Sequence, residues 1–227
     1  MKKYLVVTAM KEEMDALLSH FEKFEDKGNG IFFVQSDDFI LYTMIGGIGK
    51  VSMAYKLGSF LSLHPVDILI NVGVAGSISK KLPPFKTLIA DKVGYHDVDV
   101  TAFGYHIGQM CQMPLYFESD RELVEEAMDI GKENAIKGLI LSGDSFITKE
   151  NLKQSVFQDF DDPLAMDMES AAVAQVAYQA KIPFLIIRSI SDDTTGEDSN
   201  KEEYDRNLKL ASERAAEIVA KMILQKE

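Results

Sequence analysis

Apolar residues recur along this chain at two periods, and the switching between them divides it into strands and helices. Lys3 to Thr8 reads as a strand, and Met10, Met14, Leu17, Leu18, Phe21 and Phe24 then return at helical spacing behind it. Ile31 to Gln35 and Phe39 to Ile45 flank the polar Ser36, Asp37 and Asp38, which predicts a hairpin and hence a mixed sheet. A helix is expected from Lys50 to Leu63, a buried strand over Val66 to Val72, a charged amphipathic helix from Arg121 to Lys132, and a strand from Gly138 to Ser142. In Ala165 to Glu169, methionines alternate with acids, the mark of a strand with two unlike faces. Ser170 to Ala180 is an Ala-rich helix, and Phe184 to Ile187 is a continuous apolar run suited to a strand buried on both sides. Ala165 to Asp193 therefore predicts a βαβ unit, and in open α/β sheets ligands gather beyond the carboxyl ends of such strands. Tyr204, Leu208, Ala211, Ala215, Ile218, Val219 and Met222 mark a long C-terminal helix.

Periodic segments fill all 227 residues without a Pro/Gly/Ser-rich linker, so a single domain, 1–227, is expected. Hydrophobic content of 46% supports a full core, and no apolar run approaches the ~20 residues of a membrane span. The opening MKKYLVVTAM starts like a signal peptide but is interrupted by Lys11, Glu12 and Glu13, so its apolar part reads as a strand. Cys111 is the only cysteine, which removes an intrachain disulfide and a cysteine zinc site and fits a reducing cytoplasm. The net charge of -12 argues against nucleic acid as a partner and favours a small neutral or cationic ligand.

Candidate chemistry concentrates at strand ends. Glu13 lies on the apolar stripe of the first helix, three residues after Met10 and four before Leu17, and so faces the core; the plainer reading is that it complements the helix dipole. Glu169 and Asp192 stand at two further strand ends, beside Met and Ile rather than Lys; solvated loop acids and helix caps are the plainer reading there. Gly46, Gly47, Ile48, Gly49, Lys50 is neither a P-loop, since Val51 follows the lysine, nor a completed Rossmann turn, since Ser52 replaces the third glycine. It reads as a glycine turn that lets backbone N–H groups approach a ligand. Gly73, Val74, Ala75 and Gly76 read as a small-residue turn with room for a flat ring, or as a plain strand-to-loop turn, and Gly143 to Ile147 as another strand-terminal turn. His96, Asp97 and Asp99 lack ligand spacing to His20, His64 or His106, so no metal is expected. Val100, Phe103 and Tyr105 form an apolar patch suited to a partner subunit, and Thr194 to Asn200 a polar loop placed to act as a lid.

Taken in order, Ala9-Met10-x-Glu12-Glu13, Gly47-Ile48-Gly49-Lys50, the YHDVDVTAFGY run from Tyr95, Ser142-Gly143-Asp144-x-Phe146-Ile147, Met168-Glu169 and Arg188-x-Ile190-Ser191-Asp192 resemble the 5'-methylthioadenosine/S-adenosylhomocysteine nucleosidases of the nucleoside phosphorylase-like superfamily. The resemblance spans nearly the whole chain and implies a three-layer α/β/α sandwich with a central mixed sheet and a homodimer. It further implies irreversible hydrolysis of the bond between adenine and the thioribose, extending to 5'-deoxyadenosine, with no cofactor. By position, Glu13 would activate water, Glu169 would hold the ribose hydroxyls and Asp192, not Asp193, would protonate adenine N7. Met168 would pack under the ribose, Phe146 would stack on adenine, and the Ile147 backbone would bond the base edge. Ile48, Ala75, Gly76, Asp167 and Ser191 would line the pocket, Tyr204 would stand near the alkylthio group, and Val100, Phe103 and Tyr105 would come from the partner.

Some positions depart from the family pattern: Val72 and Val74 replace Thr and Ser, Ser77 replaces Gly, Asp167 replaces Glu, Tyr204 replaces Phe, and Phe85-Lys86 replaces Gly-Asp. Arg188 is the only arginine in these motifs, the others being Arg121, Arg206 and Arg214 on helices. A phosphorylase needs a cationic clamp on phosphate, and with Glu13 at that end water is the expected nucleophile and Arg188 an orienting partner for a carboxylate. Two other readings stand beside this one: a nucleosidase of the same superfamily acting on aminodeoxyfutalosine, and a non-catalytic nucleoside-binding module.

Overall fold

The computed structural model describes residues 1–195 and 200–224. The strands are β1 (Lys2–Thr8), β2 (Glu25–Gly28), β3 (Ile31–Gln35), β4 (Phe39–Ile45), β5 (Ile68–Ser77), β6 (Thr87–Tyr95), β7 (Phe117–Glu118), β8 (Ala135–Ser142), β9 (Pro163–Asp167) and β10 (Phe184–Asp193). The helices are α1 (Lys11–Leu18), α2 (Lys50–Leu61), α3 (Arg121–Gly131), α4 (Val156–Asp159), α5 (Ser170–Ala180) and α6 (Asn200–Leu224). All the strands belong to one mixed sheet. Alternation along β1 sends Val6 to one face and Leu5 and Val7 to the other. Val6, Ile70 and Ile187 pack under α1, α3 and α6 through Met14, Leu17, Leu123, Ala215 and Val219. Leu5, Leu69 and Ile186 pack under α2 and α5 through Met53, Leu57, Val173 and Ala177. The result is the three-layer α/β/α arrangement.

Strand β5 is the hinge of the topology. One edge pairs along its length with parallel β10. The opposite edge is shared: Ile68 to Asn71 pair with Tyr4 to Val7 of β1, and Gly76 and Ser77 pair with Met166 and Ala165 of antiparallel β9. From β10 the pairing continues to β6, β8 and back to β9, so five strands close into a ring. Between the end of β1 and the start of the β9 pairing, Val72 to Ala75 have no strand on that edge. Diverging neighbours of this kind open a crevice at a switch point.

This differs from the expected open βαβ unit. β9 and β10 are not parallel neighbours; β5 lies between them, running with β10 and against β9. The strand expected over Ala165 to Glu169 runs from Pro163 to Asp167 instead, which leaves Glu169 at the N-cap of α5. Gly73 to Gly76 are not a turn but the second half of β5; their small side chains admit the neighbouring carboxylates, as described below. The N-terminal helix stops at Leu18, and Phe24 is exposed. Of the expected lid, residues 196–199 lie outside the described part of the chain.

A buried ion pair crosses the middle of the sheet. Arg188 on β10 donates through Nε to Asp167 Oδ2 at 3.0 Å and through a terminal nitrogen to the same oxygen at 2.9 Å. It also bonds Asn71 Oδ1 on β5, and Asn71 donates onward to the Val7 carbonyl on β1. Both ionic side chains are about as hidden as any core residue, 2% and 3% exposed. Removing one member of such a pair leaves the other charge uncompensated, at a cost of roughly 3–5 kcal/mol. Arg188→Met is therefore expected to lower unfolding stability at neutral pH by about that amount, read from urea denaturation, with Arg188→Met/Asp167→Asn losing less than the single variant.

Candidate active site

A cavity of about 420 Å³ opens where β1 and β9 diverge along β5. Its wall is largely apolar, with carboxylates from three separate segments. Ala9 and Met10, which join β1 to α1, Val74 to Gly76 on β5, and Met166 at the end of β9 supply much of that wall.

Glu13 arrives from the first turn of α1 and is 5% exposed. Its Oε2 accepts the N–H groups of Ala9 at 2.8 Å and Met10 at 3.2 Å. Oε1 accepts the Val74 N–H at 3.0 Å, a backbone group on the unpaired stretch of the β5 edge. Gly73 makes this fit possible, since a Cβ there would lie 2.3 Å from Oε1. Burial pushes the Glu13 pKa above the ordinary carboxylate range, against the pull of Arg188 and the three amides.

Glu169 at the N-cap of α5 is 7% exposed. Its Oε1 accepts the Gly49 N–H at 2.8 Å, so the glycine turn before α2 meets one of the chain's own carboxylates. Burial, and then the charge of Asp167, raise its pKa to about 8. Asp167 lines the same cavity, but its oxygens already accept from Ser142, Ser170 and Arg188. It holds the turn leading to Glu169, and Arg188, behind it, does not line the cavity.

Asp192 comes from the end of β10, just past an irregularity in the pairing that leaves Ser191 as an extra residue. Bulges re-aim the side chains beside them. Asp192 packs on Gly76, where a Cβ would stand 3.0 Å from Oδ2. Ser191 Oγ donates to Oδ1 at 2.8 Å and Asn200 Nδ2 to Oδ2 at 3.2 Å. Burial raises the pKa to about 6, opposed by these two hydrogen bonds and assisted by Glu203 and Asp193. Asp193 points elsewhere, accepting from Thr195.

Phe146 and Ile147 from the loop after β8 and Met168 from the turn after β9 also line the cavity, together with the exposed Ile48. Tyr204 on α6 meets Phe146 edge to face at 5.7 Å and donates to Met10 Sδ at 3.4 Å. The cavity thus gathers Glu13, Glu169, Asp192 and the apolar candidates. It does not gather Val100, Phe103 or Tyr105. Val100 packs against the core, Tyr105 accepts from the Gln112 N–H, and Phe103 is 77% exposed. Among the described residues no group of three or more His, Cys, Asp or Glu is arranged to hold a metal ion. Sequence reasoning missed Ala9, Met10, Ser145, Met166 and Lys201 as cavity residues, and the glycines at 73 and 76 signalled a close approach rather than a turn.

A family model described as the phosphorylase superfamily matches residues 3–224. The 5'-methylthioadenosine/S-adenosylhomocysteine nucleosidase of Staphylococcus carnosus is 33% identical over 230 residues, covering 96% of this chain and 97% of that one. The solved structure of the nucleosidase of the same name from Streptococcus pneumoniae, with a transition-state inhibitor, has a TM-score of 0.91 at 34% identity, covering 99% of this chain and 100% of its own. That from Neisseria meningitidis, in complex with methylthio-immucillin-A, has a TM-score of 0.91 at 32% identity with coverage of 99% and 100%. The chain belongs to the phosphorylase superfamily and, within it, to the 5'-methylthioadenosine/S-adenosylhomocysteine nucleosidases.

Proposed function

We propose that this chain hydrolyses the N-glycosidic bond of 5'-methylthioadenosine and S-adenosylhomocysteine, and of 5'-deoxyadenosine, releasing adenine and the (thio)ribose. The observation that carries this is the convergence of Glu13, Glu169 and Asp192, all buried, on one apolar cavity. Breaking such a bond leaves positive charge on the sugar and negative charge on the base. Asp192, with its pKa raised to about 6, keeps a proton further up the pH scale than a free carboxyl and gives it to adenine N7. Ser191 holds Asp192 in place. Glu169 accepts from the ribose hydroxyls, and Glu13, anchored by three backbone amides, takes the proton of the attacking water. Met168 supports the sugar, Phe146 stacks on the base while the Ile147 backbone reads its edge, and Tyr204 lies beside the alkylthio group.

Water rather than phosphate is the nucleophile. A phosphate site draws on free amides at helix N-termini and on a guanidinium fork. Here the amides of Ala9, Met10 and Gly49 already hold Glu13 and Glu169, and Arg188 is committed to Asp167 and Asn71. Two copies of this single-domain chain form a homodimer, in which Val100, Phe103 and Tyr105 of one face the cavity of the other. The exposed Phe103, and Ile48, Val51 and Tyr55 around the start of α2, supply the apolar surface for it. Among the described residues no helix is long and apolar enough to cross a membrane, and the lone Cys111 suits a cytoplasmic setting.

Asp192→Asn keeps shape but removes the proton donor. Its kcat is expected to fall about 10²- to 10⁴-fold while methylthioadenosine still binds, measured by adenine release and calorimetry; a near-normal rate would remove Asp192 from its role. The pH profile has a defined sign. Asp192 must be protonated and Glu13 ionised, so once the pH exceeds both the raised Glu13 value and the free-enzyme Asp192 value of about 6, kcat/KM is expected to fall about tenfold per pH unit. An alkaline limb without that loss would contradict the assignment. Phe103→Asp is expected to shift the sedimentation of the protein from dimer to monomer and to raise KM for methylthioadenosine.

A further inference from the structure

Three loops meet at the N-terminus of α2 and are tied there by charge. Gly49 gives its N–H to Glu169, and the next amide, Lys50 N–H, goes to Asp144 Oδ1 at 2.9 Å. Gly49 stands at a φ of +88°, and a Cβ there would lie 3.2 Å from Asp144 Oδ1, so glycine both permits the turn and admits the carboxylate. The Lys50 ammonium then closes the cluster, 2.6 Å from Asp97 Oδ2 and 3.7 Å from Asp144 Oδ2. Asp97 also accepts the Asp144 N–H at 3.0 Å. The ammonium lies 5.4 Å from the centre of the Tyr95 ring, whose hydroxyl donates to Ala171 and Gln175 on α5, the helix that Glu169 caps.

None of Lys50, Asp97 or Asp144 lines the cavity. Asp144 nevertheless directly precedes Ser145, Phe146 and Ile147, which do. At the far end of that stretch Asn151 donates to the Phe146 carbonyl at 2.9 Å and accepts the Thr148 N–H at 2.7 Å. The stretch is therefore pinned on both sides, by an amide on one and by an ionic cluster on the other. Lys50 and Asp97 are 23% and 29% exposed, and partly exposed ion pairs add little to global stability. Their effect lies in geometry: a misplacement of about 1 Å at a reacting site costs up to about 10²-fold.

We infer that Lys50, Asp97 and Asp144 are positioning residues that set the Ser145–Ile147 stretch to receive the purine base and couple it to the helix end that holds Glu169. This rests on the proposed function, in which that stretch contacts adenine. The cluster joins the base-facing loop and the sugar-facing carboxylate through one helix terminus, so base and ribose are registered against each other without either touching the cluster.

The test uses the full chain with Lys50→Met, Asp97→Asn, their combination and Lys50→Arg, measuring methylthioadenosine turnover, free-adenine affinity by calorimetry and thermal melting. Each single variant is expected to raise KM and weaken adenine binding by the same factor, about tenfold, with kcat and melting temperature changed far less. The combination is expected to match the singles, because both remove one cluster, and Lys50→Arg to recover part of the adenine affinity. Wild-type KM and adenine affinity in the single variants would overturn the inference, as would additive losses or losses that follow the melting temperature. A wild-type protein that binds adenine but releases none from the nucleoside would sink the proposed function alone, since the adenine comparison still reads the cluster.

Discussion

One buried cation governs this molecule. The Arg188 guanidinium lies among acids in a sheet interior where a charge survives only when paired and hydrogen-bonded. It is bonded to Asp167 and Asn71 and to its own neighbour's carbonyl at Ile187. Its field opposes the burial that raises the pKa of both Glu13 and Glu169. Asp167, held by Ser142, Ser170 and Arg188 together, in turn fixes the turn from which Glu169 projects. The shorter Asp at a position where the resemblance expects Glu still reaches this arginine, so the departure is absorbed within the pair. Ionic structure and site geometry are thus the same set of contacts.

The second constraint is topological. A strand edge left bare inside a protein exposes N–H groups that need acceptors. Along β5 the gap between β1 and β9 leaves Val74 N–H without a strand partner, and the Glu13 carboxylate takes that place. The crevice exists because the two strands part, and a carboxylate occupies it because a backbone donor is left over. Gly73 and Gly76 belong to the same solution, one beneath Glu13 and the other beneath Asp192. Side chains at either position would drive the acid out of the wall.

Much of this was legible from periodicity: the β3–β4 hairpin, the apolar first half of β10 (Phe184 to Ile187), and the α6 stripe all follow spacing that local sequence sets. β6 was not, because Asp91 and Lys92 interrupt its apolar alternation where the strand carries a pairing irregularity against β8. Ring closure was not, because it depends on one edge of β5 serving two partners of opposite direction. Glu13 stood out by lying on an apolar stripe, and Asp192 by its apolar neighbours. Which carboxylate Arg188 would hold was not legible, since Asp167 reaches it only after β9 is placed. Lys50, Asp97 and Asp144, separated by 47 and 94 residues, carry no local signal that ties them together.

The raised carboxylate pKa values and the chemistry have one origin. Glu13, Glu169 and Asp192 resist ionisation because burial removes water from them. The cavity is therefore a poor place for their negative charge. In the proposed reaction the sugar becomes positive as the glycosidic bond stretches, and an ionised Glu13 finds there the counter-charge that the protein withholds; the same low-dielectric wall that penalised it now strengthens the attraction. In the same proposal Asp192 works in the opposite sense, since the base gains electrons and draws its proton. On that proposal burial favours the charge distribution of the breaking bond over that of the intact nucleoside, which is the differential binding that lowers a barrier.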